Sequence, residues 1–146
     1  MKIVFKNTSL EFQKYNLYIL DHRENVTITN GATSQASNIN TIVGNKYGAI
    51  VRVKNVTKPT GGTDPLFYLY EGSGTPRLGT SYKKSSSPLD YYIINGTATT
   101  IGKIGGSCSS EYTITYDIIL FDLTAHPEYE QYIPYMSFDE ISSLII

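Results

Sequence analysis

The stretch Glu111-Tyr-Thr-Ile-Thr-Tyr-Asp-Ile-Ile-Leu-Phe-Asp-Leu-Thr124 decides how this chain folds. Tyr112, Ile114, Tyr116, Ile118 and Leu120 recur at every second position, which puts them on one face of a β-strand resting on a core. The other face begins polar, with Thr113, Thr115 and Asp117, then turns apolar at Ile119, Phe121 and Leu123. A strand over residues 111–123 therefore has one wet face at its start and none at its end. Something must cover that end, and the segment from Ala125 to Ile146 is the natural candidate.

Composition agrees with a β-rich chain. The 146 residues suit a single domain, 1–146, able to bury roughly two thirds of its unfolded surface without a metal or disulfide. Only 17% of residues are charged, and 12 basic against 13 acidic residues leave a net charge of −1. That balance argues against a nucleic-acid partner, which calls for a basic excess or stripe. The 13 tyrosines, with many Ile and Thr, fit pleated, half-buried surfaces, and 12 glycines punctuate the runs. Cys108 is the single cysteine, so no internal disulfide forms, and Gly105-Gly-Ser-Cys-Ser-Ser110 supplies no neighbour to activate it. Residues 1–7 lack the apolar core of a signal peptide and read as a first strand, so the chain reads as one complete domain from Met1. No segment is apolar enough to insert in a membrane.

About nine short strands emerge along the chain: residues 2–6, 15–20, 26–29, 47–54, 66–71 and 111–123, with weaker ones at 34–43 and 80–83. Asn30-Gly31 is a turn pair that tolerates positive φ. Tyr47, Ala49, Val51 and Val53 alternate onto one face. In Asp90-Tyr-Tyr-Ile-Ile-Asn-Gly-Thr-Ala-Thr-Thr-Ile101, the pair Asn95-Gly96 predicts a two-residue hairpin joining strands 91–94 and 97–101. The tail (124–146) differs. Ser137-Phe-Asp-Glu140 is a capping box, Met136 and Ile141 sit as a hydrophobic staple, and Phe138, Ile141, Leu144 and Ile145 make an apolar stripe. A short helix from about residue 137 follows. Closely spaced strands without interleaved helices give an all-β, antiparallel, jelly-roll-like sandwich over 1–123 with a short C-terminal helical tail.

The segment Asp117-Ile-Ile-Leu-Phe-Asp-Leu-Thr124 resembles the end of β-sandwich modules in tail, fibre and other virion proteins of tailed phages and prophages. There, too, a hydrophobic strand ends in Asp-Leu-Thr and a short helix rich in Glu and Phe follows. Leu120-Phe-Asp-Leu-Thr124 carries the match, Met136-Ser-Phe-Asp-Glu-Ile141 resembles the helix start, and Gly44-Asn-Lys-Tyr-Gly-Ala-Ile-Val51 resembles the strand that opens those modules. Residues 125–135 depart from the pattern, putting Tyr129, Tyr132 and Tyr135 where the family has a glycine-rich turn. The resemblance implies a structural virion component, exposed on the particle as a capsid-decorating, auxiliary or head-fibre protein, with other virion proteins and its own copies as partners. The alternative is a carbohydrate-binding, host-recognition module of a tail or fibre protein.

Residue chemistry points away from catalysis. His22 and His126 are remote in sequence, Asp21-His22-Arg23-Glu24 reads as a polar loop after a strand, and His126-Pro127 reads as a helix start. No nucleophile elbow, phosphate-cradling loop or zinc-ligand spacing occurs, so no enzyme activity, cofactor or metal is expected. A subunit interface is expected from Tyr129, Tyr132, Tyr135, Phe138, Leu144, Ile145 and Ile146, because a greasy terminus and half-polar tyrosines suit such contacts. A host surface glycan, if one is bound, is expected at Tyr91 or Tyr92, which must point to opposite faces.

Overall fold

The structure, a computed structural model, describes residues 17–72, 77–86 and 88–145. The expected strand at 2–6, part of that at 15–20, and Ile146 lie outside them. Strands β1 (Asp21–Ile28), β8 (Thr113–Asp122), β3 (Lys46–Thr57), β6 (Leu89–Thr97) and β5 (Thr80–Ser86) stand side by side in that order in one antiparallel sheet. β2 (Ser34–Asn40), β7 (Lys103–Cys108) and β4 (Phe67–Glu71) form a second. Most successive strands cross from one sheet to the other, the connectivity of a jelly roll.

Both flanks are stitched. On one, Ser81 Oγ donates to the Phe67 carbonyl and Leu78 N–H to the Leu69 carbonyl at 2.7 Å, tying the β5 side to β4. On the other, Ser34 Oγ donates to the Thr27 carbonyl and Ser37 Oγ to the Asp21 carboxylate, 2.8 and 2.7 Å. Asn30 (φ 54°) and Gly31 (φ 72°) make the turn between β1 and β2, as their sequence predicts.

The core between the sheets takes the expected faces: Tyr47, Ala49, Val51 and Val53 of β3, and Ile114, Tyr116, Ile118 and Leu120 of β8, against Phe67, Leu69 and Ile104. Tyr116 stands edge-on to Phe67 at 5.0 Å, and its hydroxyl fits only because Gly106 has no Cβ there. The opposite face of β8 has its own core. Ile119, Phe121 and Leu123 pack with Ile50 of β3 under Tyr129, Ile133, Met136, Phe138 and Ile141 of the tail. The tail runs as two 3₁₀ turns, Pro127–Gln131 and Ile133–Tyr135, then α1 (Phe138–Ser143). α1 opens with the full capping box: Ser137 Oγ accepts from Glu140 N–H, and the Glu140 carboxylate accepts from Ser137 N–H. Leu17 N–H donates to the Leu144 carbonyl (2.8 Å), closing the tail against the start of the described chain.

Several expectations are corrected. Asn95-Gly96 makes no hairpin; it lies inside β6, and the chain runs straight through to Thr97 beside β3. Gly96 has an ordinary φ and is small for another reason: a Cβ there would lie 2.9 Å from the Tyr47 carbonyl and 3.2 Å from Leu78 Cγ. Asp21-His22-Arg23-Glu24 is the first half of β1 rather than a loop, because it pairs with the apolar end of β8 from Leu120 to Ile118. Residues 103–108, absent from the strands expected above, are β7, the middle strand of the smaller sheet.

Three outcomes follow. Phe121→Ala should cost about 3–5 kcal/mol by urea denaturation, since it opens a cavity in a core with little room to collapse. Truncation at Ser137 removes Phe138 and Ile141 from the same core, so a lowered urea midpoint is expected even where circular dichroism still reports strands. Gly96→Val should cost about 1–3 kcal/mol by overpacking against Tyr47 and Leu78, with the same readout.

Candidate functional site

The buried carboxylates are committed to structure. Asp90 of β6 holds Arg52 of β3 in a two-pronged pair (3.1 and 3.4 Å), and Arg52 reaches on to Asp139 of α1 (2.7 Å) with its guanidinium 5.1 Å above the Phe138 ring. Asp117 of β8 pairs with Lys54 (2.8 Å) and accepts from Asn25 N–H (2.9 Å). Lys84 of β5 donates to the Ile133 carbonyl (3.3 Å); burial lowers its pKa, while Asp90 and Glu140 oppose the shift. The bonds of Arg52 to Asp139 and of Lys84 to Ile133 pin the tail to the sheet.

Other chemistry-bearing groups are equally constrained. His22 lies edge-on to Phe138 at 6.4 Å, and His126 is stacked between Tyr18 (5.9 Å) and Tyr129 (4.7 Å). Cys108 is buried at the end of β7, and burial raises its pKa, which disfavours the reactive thiolate. Among the described residues no cluster of His, Cys, Asp and Glu could hold a metal ion, and no helix is long and apolar enough to cross a membrane.

The surface is more informative. One end of the sandwich is built from residues 41–45, between β2 and β3, and residues 98–102, between β6 and β7. Glu71, buried at the end of β4, accepts four hydrogen bonds of 2.8–3.1 Å from the backbone N–H groups and hydroxyls of Thr99 and Thr100. Thr41 Oγ1 donates to the Thr100 carbonyl at 2.7 Å, Gly44 N–H to the Ala98 carbonyl, and Ala98 N–H to the Asn45 carbonyl. Ile42 N–H donates to the Tyr47 hydroxyl (2.9 Å). Loops held this firmly nevertheless turn three large aliphatics outward: Ile42, Val43 and Ile101 are 60%, 56% and 78% exposed. Scattered exposed aliphatics are ordinary; here Glu71 anchors the loop before Ile101, and the Thr41, Ile42 and Gly44 bonds anchor the loop that carries Ile42 and Val43.

The sequence-predicted residues fall differently. Tyr129 and Phe138 are interior to this chain, in the core above Phe121, because the apolar end of β8 needs them. Tyr132, Leu144 and Ile145 are half-buried at the rim of that core, and Tyr135 is 58% exposed. Tyr91 points into the main core and donates to the Pro65 carbonyl, which removes it as a glycan platform. Tyr92 lies on the outer face, stacked at 5.3 Å on Tyr82, whose ring is 48% exposed. Sequence reading missed Ile42, Val43 and Ile101; the available signal was two aliphatic pieces running into glycine, Ile42-Val43-Gly44 and Ile101-Gly102.

Comparison with known proteins finds no matching family model, no similar curated protein and no similar solved structure.

Burial lifts the Tyr91 phenol to about 12, with the Asp64 charge adding to it, and raises Tyr116 further. A raised folded-state pKa favours the neutral phenol in the fold, so this stabilisation is complete below the ordinary value of 10.0 and is lost as pH climbs through the folded value. Stability should therefore fall between pH 10 and pH 12, and Tyr91→Phe should flatten that decline in urea titrations at stepped pH.

Proposed function

We propose that this chain is a non-enzymatic structural component of a tailed-phage virion, exposed on the particle surface as a capsid-decorating or head-fibre protein. The observation that carries the reading is the rigid apolar end. Ile42, Val43 and Ile101 are exposed on loops anchored by the Thr41, Thr99 and Thr100 hydrogen bonds, as suits a patch that docks on a neighbouring virion protein or a second copy. The resemblance at Leu120-Phe-Asp-Leu-Thr124 and the capped helix after it support the virion assignment. Commitment of the buried carboxylates to Arg52, Lys54, Thr99 and Thr100 supports a structural rather than a catalytic role. A carbohydrate-binding role is the second reading, favoured by the exposed Tyr82 ring stacked on Tyr92.

Ile101→Asp combined with Val43→Asp tests the first reading. Both side chains are exposed, so the urea midpoint should hardly change. Light scattering should show the wild type associating with itself and the double variant monomeric, and the variant should be lost from particles. A wild-type chain that stays monomeric at high concentration and is absent from purified particles would overturn the reading.

A further inference from the structure

The smaller sheet has an outer face that neither core uses. Side chains alternate along β7, so Lys103, Gly105 and Ser107 point outward while Ile104, Gly106 and Cys108 point inward. Gly105, in the middle of the outer column, is closely covered: a Cβ there would lie 2.6 Å from the Gly72 carbonyl and 2.9 Å from Thr33 Cγ2. Its cross-strand neighbours are Gln35 on β2 and Tyr70 on β4. Beside this close approach lies a cleft of about 420 Å³ lined by Thr33, Ser34, Gln35, Gly72, Lys103 and Gly105. That volume is within the range of small-molecule sites.

The lining has a definite chemistry. Among the described residues it holds the Thr33 hydroxyl, the Gln35 amide and the Lys103 cation, with no carboxylate and no large apolar side chain, while the Ser34 hydroxyl is bound to the Thr27 carbonyl. Its wall is prearranged: Gln35 Nε2 donates to Asn38 Oδ1 (2.6 Å), and Lys103 Nζ donates to the Asn38 carbonyl (2.8 Å), which leaves the ammonium two further donors. Asp21, the carboxylate bonded to Asn38 N–H, is also taken up by Ser37 Oγ and Arg23. Glu71 belongs to the inner side and is bound by Thr99 and Thr100. Beyond Gly105, on the same face, comes an aromatic surface: Tyr70 and Tyr68 lie 6.2 Å apart, with the Arg77 guanidinium 4.0 Å above the Tyr68 ring.

We propose that this cleft binds a saccharide bearing a carboxylate. Hydroxyl and amide groups match ring hydroxyls, and Lys103 takes the carboxylate as a charge-assisted partner. The Tyr70–Tyr68 surface offers ring stacking to the next sugar of a chain. Described lining residues without a large apolar side chain suit neither a lipid tail nor a hydrophobic peptide, and a single lysine is thin provision for a phosphate group. The inference rests on the cleft alone and stands whether or not the chain belongs to a virion.

Titration calorimetry with trigalacturonate and its methyl ester, and with sialyllactose and lactose, tests it on the full chain. At least one acidic sugar should bind, and its neutral counterpart should bind at least tenfold more weakly. Lys103→Met should weaken the acidic sugar about tenfold and reduce the salt dependence, while the urea midpoint stays within error because the side chain is exposed. Gln35→Ala should weaken both sugars of a pair. Absence of binding to both acidic sugars would overturn the proposal, as would equal affinity for acid and neutral forms or binding unchanged by Lys103→Met. Binding lost on Tyr82→Ala but kept in Lys103→Met would move the sugar to the other sheet. The light-scattering result for Ile101 and Val43 is independent of all of these.

Discussion

Strand β8 must be buried on both faces along its last half, and much of the architecture answers that demand. It has β1 on one side and β3 on the other, so its backbone donors and acceptors are satisfied within the sheet. Its inward residues, from Ile114 to Leu120, fill the sandwich, while Ile119, Phe121 and Leu123 would otherwise face water. Burying side chains of that size is worth roughly 1.5–3 kcal/mol each, a large share of the net stability of a domain this size. The tail therefore is no appendage: it is the second layer of a local three-layer packing. Gly48 of β3 shows how closely it seats, since a Cβ there would lie 2.8 Å from Leu123 Cδ1.

The outer face of the larger sheet is consequently graded. One transverse row runs His22, Ile119, Ile50, Tyr92, Tyr82 across all five strands. Its centre is under the tail, and its far end at Tyr82 is open. The next row, Asp117, Arg52 and Asp90, is ionic, and Arg52 joins it to Asp139 on the helix. Apolar packing thus holds the tail down, and charge pairing at the margin sets where α1 lies. A partly buried pair with two-pronged geometry fixes position better than it adds stability.

Glu71 does for the loop end what Arg52 does for the tail. A buried carboxylate without partners would cost several kcal/mol, and four donors from two adjacent threonines answer it completely. The consequence is a short, rigid loop whose next residue, Ile101, projects outward. On the proposed reading, the binding work of this protein falls to surfaces placed by such pins rather than to reactive groups.

What could be read from the chain was local and periodic. Two-residue alternation in β8 and β3, the Asn30-Gly31 turn and the Ser137–Glu140 capping box each depend on residues near one another in sequence, and each appears as read. The switch from polar to apolar on the second face of β8 even foretold that the tail would cover it. Non-local facts were illegible. Gly96 looked like a turn residue because Asn-Gly usually is one, yet its smallness answers the Tyr47 carbonyl, some fifty positions away. Gly105 and Gly106 gave no strand signal; the smaller sheet brings the Gly72 carbonyl against one and the Tyr116 hydroxyl against the other. The polarity of Asp21-His22-Arg23-Glu24 hid an edge strand, since an edge tolerates charge that a central strand would not. Alternation is written into the chain because neighbouring side chains on a strand must part to opposite faces. Which strand comes to lie beside which, and so what each glycine and each carboxylate meets, is decided only when distant segments close on one another.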